Sequence, residues 1–141
     1  MRSIQLNTVV LEMLAEIIRD RSRESERFII GLAGPPGAGK STLSLKLAKI
    51  LGSCEILAAD GFHYDNVLLE QFNLLERKGA SNTFDIDGLK AVLSRLCRQE
   101  DVIAPVFDRQ LDMVRGCSVH FPSDLRYVIV EGNYITSNLS G

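Results

Sequence analysis

Tryptophan is absent from this 141-residue chain, histidine occurs twice and cysteine three times. Each scarcity closes off a class of protein. Cys54, Cys97 and Cys117 are odd in number, far apart and without a C-x-x-C pair, so they imply no disulfide framework and suit a reducing compartment. His63 and His120 stand at no ligand spacing, and no zinc pattern results. Charge of neither sign dominates: 16 Lys and Arg against 18 Asp and Glu leave a net charge of −2, without the basic excess that a nucleic-acid surface needs. No apolar run is long enough for a membrane span or a signal peptide. The amphipathic N-terminal stretch carries Glu12, Glu16 and Asp20, which transit peptides avoid. Repeats and low-complexity tracts are missing. The expectation is one soluble, intracellular, cytoplasmic domain over residues 1–141, with neither membrane nor nucleic acid as partner. A hydrophobic content of 45% is enough to build its core.

What the chain does have is a phosphate cradle. Gly34, Pro35, Pro36, Gly37, Ala38, Gly39, Lys40 and Ser41 fit G-x-x-x-x-G-K-[ST], between the apolar run ending at Ala33 and a helical pattern beginning at Lys40. Glycines let the backbone wind round an anion with its N–H groups inward, and the following helix adds the positive end of its dipole. In this motif the lysine reaches the β/γ-phosphates and the hydroxyl ligates Mg²⁺, which assigns Lys40 and Ser41. Residues 34 to 41 and Thr42 are therefore the nucleotide-binding candidates, with ATP and Mg²⁺ as the cofactors.

Periodicity places the remaining elements. Leu6, Val9, Val10, Met13, Leu14, Ile17 and Ile18 predict a helix over 7–22 whose apolar stripe must be buried. Ile29 to Leu32 lacks polar alternation, as expected of a parallel strand covered on both faces. Leu43, Leu47, Ile50 and Leu51 give a second helix ended by Gly52, and Glu55 to Ala59 a second strand, parallel to the first through a right-handed crossover. Residues 63–78 are ambiguous, with helical character from Val67 to Leu75. Leu89, Val92, Leu93 and Leu96 mark a helix capped by Asp85 or Asp87. Val102 to Phe107 reads as an extended segment bent at Pro105, Cys117 to Phe121 as a minor strand, and Tyr127 to Val130 as a buried strand ending in Glu131.

Ligands of an open parallel α/β sheet bind beyond the carboxyl ends of its strands, where the cradle, Asp60 and Glu131 all fall. Phosphoryl transfer asks for donors to phosphate, a metal shell and an acid that takes the acceptor's proton. Asp60 is read as that base, against a plain turn residue before Gly61. Glu131 is read as a metal-shell ligand through water or as an acceptor contact, against a strand terminator. His63 and Tyr64 line the acceptor pocket or merely pack. Arg109 holds an anion or forms a surface ion pair, and Arg77-Lys78 poses the same choice.

Together, Ala59-Asp60-Gly61-Phe62-His63-Tyr64, Arg77-Lys78-Gly79-Ala80, Thr83-Phe84-Asp85, Pro105-Val106-Phe107-Asp108-Arg109 and Val130-Glu131-Gly132-Asn133-Tyr134 resemble the uridine kinase, phosphoribulokinase and bacterial-type pantothenate kinase group. The likeness is greatest to its uridine-kinase-like, fructose-transport-associated branch, and runs from about residue 8 to residue 136. It implies a P-loop three-layer α/β sandwich with a parallel sheet ordered 2-3-1-4-5. It also implies ATP-dependent phosphorylation of a hydroxyl on a small metabolite. By the same resemblance Asp60 activates the acceptor, Glu131 ends the third core strand, and Asp85, Asp108 and Arg109 shape the acceptor pocket. Relatives continue past the position of Gly141 with a lid and the last strands. This chain is accordingly expected to be incomplete at its C-terminus, to end in an unstructured 135–141 tail, and to bare one edge of its first strand. A homodimer covering that edge and a nucleotide-binding module with little catalysis are the corresponding expectations.

Overall fold

The computed structural model describes residues 8–133. Its elements run α1 (Thr8–Arg21), β1 (Phe28–Ala33), α2 (Lys40–Leu51), β2 (Cys54–Ala58), α3 (Asn66–Gln71), α4 (Ile86–Cys97), β3 (Val102–Asp108), β4 (Met113–Phe121) and β5 (Tyr127–Gly132). Short 3₁₀ turns occupy Ala59–Phe62, Leu75–Arg77 and Ser81–Thr83. The expected 135–141 tail lies outside the described residues.

The sheet is parallel and ordered β1-β5-β2. This is the 2-3-1 portion of the expected order, because the β1–α2–β2 crossover leaves a slot that only a later strand can fill. Alternation along β5 divides the core. Tyr127 and Ile129 face a layer made by α1 and α2, with Ala15, Ile18, Leu47 and Leu51. Val128 and Val130 face the opposite layer, with Leu57, Leu89, Leu96, Val102 and Phe121. Helices on one side, and α4 with the antiparallel β3–β4 hairpin on the other, complete three layers around the sheet.

Several sequence expectations shift. Helix α1 forms, yet Val9, Val10, Met13 and Ile17 are exposed and the buried positions are Leu11, Ala15 and Ile18. Periodicity reported a helix; the neighbouring α2 decided its buried face. Strand β1 is only half-buried, unlike β5, because among the described residues it pairs on one edge alone. The 117–121 strand extends to nine residues from Met113, and the hairpin register shifts between Ala104 and Val106, around Pro105, which has no N–H to give the ladder. Asp85, not Asp87, caps α4, its Oδ1 accepting from Gly88 N at 2.9 Å.

One buried charge anchors the frame. Among the described residues the Arg27 guanidinium donates only to carbonyls: Leu125 O at 3.0 Å, Leu96 O at 3.2 Å, Glu100 O at 3.1 Å, and Pro122 O. Carbonyls at and beyond the C-terminus of α4 carry the negative end of its dipole, which suits a buried cation without a carboxylate.

Candidate active site

Register brings the site together. Ala33 lies opposite Gly132, and Ala58 opposite Glu131, so the cradle after β1, the turn after β2 and the end of β5 share one sheet edge. They wall a cleft of about 650 Å³ whose lining includes Pro36, Gly37, Lys40, Ser41, Thr42, Asp60, Arg109, Asp112, Glu131 and Asn133.

In the cradle, Gly37 (φ 75°) and Gly39 (φ 85°) are left-handed, a conformation that side-chain-bearing residues resist. Ala38 N closes a turn onto Pro35 O at 3.3 Å. Gly39 caps α2 without a side-chain hydrogen bond, so the cap itself leaves the N–H groups of the first helical turn open. Lys40 Nζ donates to Gly34 O at 2.6 Å, Pro35 O at 2.8 Å and Asn133 Oδ1 at 3.0 Å. Those partners are neutral, leaving the ammonium charge uncompensated for phosphate.

Glu131 shares the parity of Ile129 and therefore faces α2. Its Oε1 accepts from Ser41 Oγ at 3.2 Å and its Oε2 from Ser44 Oγ. Ser44, fully buried, also lies 2.9 Å from Lys40 O. The Glu131 carboxylate beside the Ser41 hydroxyl fits Mg²⁺, which takes one or two carboxylates and completes its shell with water and phosphate.

Asp60 stands in the 3₁₀ turn after β2, and its carboxylate has no hydrogen bond or ion pair among the described residues. Arg109, at the hairpin tip, also faces the cleft without such a partner among them. Other candidates sit outside the cleft lining. His63 Nδ1 is 3.0 Å from Asp60 O, and its ring packs on Phe84 at 3.9 Å and on Phe107 at 5.3 Å. Tyr64 meets Phe72 edge-on at 6.2 Å. The Asp85 carboxylate is the α4 cap. Asp108 Oδ1 accepts from Gln110 N at 3.0 Å and Leu111 N at 3.1 Å, closing the hairpin turn.

Ser44 and Asp112 join the site without having been singled out by sequence, and Asn133, named only within the Val130–Tyr134 stretch, had been given no role. For Ser44 a signal existed: it is four residues after Lys40 and three after Ser41, on the same helical face. Asn133 and Asp112 are located only by folding.

Residues 29–103, more than half of the chain, match the model of the Phosphoribulokinase / Uridine kinase family. A pantothenate kinase of Streptococcus pneumoniae is 31% identical over 86% of this chain and 42% of its own length. A Schizosaccharomyces pombe protein named for uridine kinase is 37% identical over 82% of this chain and 54% of its own. The chain thus spans about half the length of these curated relatives. Among solved structures, a Silicibacter sp. TM1040 protein named for a fructose transport system kinase superposes with a TM-score of 0.82 at 41% identity, over 89% of this chain and 64% of that one.

Proposed function

Because the chain belongs to the phosphoribulokinase/uridine kinase family, we propose that it transfers the γ-phosphoryl group of ATP to a hydroxyl of a small metabolite, a sugar, nucleoside or pantothenate-like alcohol. The observation that carries this reading is one cleft holding the Lys40 cradle, the Ser41–Glu131 pair and the unpartnered Asp60 carboxylate. The cradle N–H groups and Lys40 hold the β/γ-phosphates. Ser41, with Glu131 through water, would hold Mg²⁺, which would neutralise charge on the phosphate oxygens. Asp60 takes the proton of the acceptor hydroxyl as its oxygen bonds to the γ-phosphorus. The bond from that phosphorus to the β–γ bridging oxygen breaks, and ADP leaves. Lys40 then remains against the new charge on the β-phosphate.

Arg109 supplies a cation on the acceptor side, and Asp85, Asp108, His63 and Tyr64 support the walls of that pocket from behind. A cytoplasmic setting and pairing of two copies through the edge of β1 that is unpaired among the described residues belong to the same reading. Sedimentation at rising concentration tests the pairing, and an unchanging monomer removes it.

The decisive experiment measures ATP consumption against a panel of hydroxyl acceptors. Turnover should require an acceptor, and Asp60→Asn should lower it by about 10²–10⁴-fold while ATP still binds. Lys40→Ala should abolish nucleotide binding. ATP binding without turnover for any acceptor would replace the kinase with a nucleotide-binding module.

A further inference from the structure

Arg109 is flanked in the hairpin turn by two carboxylates that could neutralise it, Asp108 and Asp112, and both are engaged elsewhere. Asp108 closes the turn through Oδ1, and its Oδ2 lies 3.6 Å from Arg115 Nη1. Asp112 lines the same cleft as Arg109. Its Oδ1 accepts from Lys78 Nζ at 2.9 Å. Lys78 also donates to Asn66 Oδ1 at 2.9 Å and to Asp112 O at 3.3 Å, and lies over the Phe107 ring at 5.3 Å from its centre. Its side chain is 19% exposed, against 67% for Asp112, so the lysine is the fixed member of the pair and the carboxylate the held one. The Lys78 hydrogen bond keeps the Asp112 carboxyl below the usual carboxylate range, hence charged.

We propose that Lys78 is a positioning residue: it withholds the Asp112 carboxylate from Arg109, so that Arg109 stays available to an anionic group, phosphate or carboxylate, in the cleft. Without the lysine, the Asp112 carboxylate is free to turn to Arg109, three residues away on the same tip and lining the same cleft, and an internal ion pair occupies the guanidinium. Lys78 touches no reacting atom in this scheme. The use of Arg109 in phosphoryl transfer rests on the kinase reading above; the exchange of partners does not.

Phenylglyoxal modification of Arg109, followed by mass spectrometry of the full chain, tests this without requiring turnover. Lys78→Met and Lys78→Gln should each slow the modification by about two- to fivefold, the range of an exposed ion pair. Adding Asp112→Asn to Lys78→Met should restore the original rate, a rescue that a merely structural lysine does not predict. An unchanged rate in the Lys78 variants, or no recovery in the double variant, overturns the proposal. Should the Lys78 variants not fold, acetylation of the folded chain with acetic anhydride removes the Lys78 charge instead, and should slow Arg109 modification in the unmodified sequence but not in Asp112→Asn; the same rate in both overturns the proposal. Two probes locate the anion. Protection of Arg109 by ATP alone puts the anion on the nucleotide, and protection by inorganic phosphate only when ATP already fills the cradle puts it on the acceptor side. Protection by neither overturns the proposal.

Discussion

At the scale of single residues, neighbours set the chemistry. Cys54 opens β2 half-buried, and burial, with the adjacent Glu55 charge, pushes its thiol from the ordinary 9.0 up to about 11. Cys97 and Cys117 are exposed. Iodoacetamide at about pH 8 should therefore label Cys97 and Cys117 and spare Cys54, since only thiolate reacts. The linked effect on stability has a definite sign. The unfolded chain ionises Cys54 first, so its contribution is constant below about pH 9 and declines between about pH 9 and 11. Urea midpoints across that range, compared with a Cys54→Ala control, read the decline. Residue identity alone showed three cysteines; it could not show that one is half-buried beside a carboxylate.

At the scale of elements, the contact between the Ala59–Phe62 turn and β3 aims the proposed base. A Cβ on Gly61 would lie 2.5 Å from Pro105 O and 3.2 Å from Val106 Cα. Backbone cannot yield there as a side-chain tip could. Gly61→Ala should cost about 1–3 kcal/mol of stability by overpacking, measured by urea unfolding. Pushing the turn outward should also lower turnover more than ATP affinity, since Asp60 moves and the cradle does not. Equal loss of both would disconnect the turn from the acceptor side. The elements themselves were largely legible. The cradle's glycines, the Gly52 stop and the Asp85 cap act through residues next to them in the chain. Which face α1 buries was not legible, because Val9, Met13 and Ile17 repeat as regularly as the buried Leu11, Ala15 and Ile18.

At the scale of the molecule, β5 is the keystone. It enters last of the described strands, lies between β1 and β2, and presents Val128 to one core and Ile129 to the other. Ile129→Ala should destabilise the fold by about 2–5 kcal/mol in chemical denaturation, with β1 and β2 loosening together in hydrogen exchange. Loosening of β1 alone would mean that the two pairings are independent.

The division between sequence and structure follows the range of the forces involved. The phosphate cradle was legible in the sequence alone, because eight contiguous residues carry it and local backbone geometry is enough to form it. Asp60 and Glu131 were legible as candidates because a strand's end can be read from where its apolar run stops. Only the tertiary structure decided that Glu131 reaches Ser41 and Ser44, that Asn133 meets Lys40, and that Lys78 takes Asp112. These pairs stand 90, 87, 93 and 34 residues apart. Their meeting depends on strand order, parallel register and side-chain parity, which no stretch of chain holds by itself.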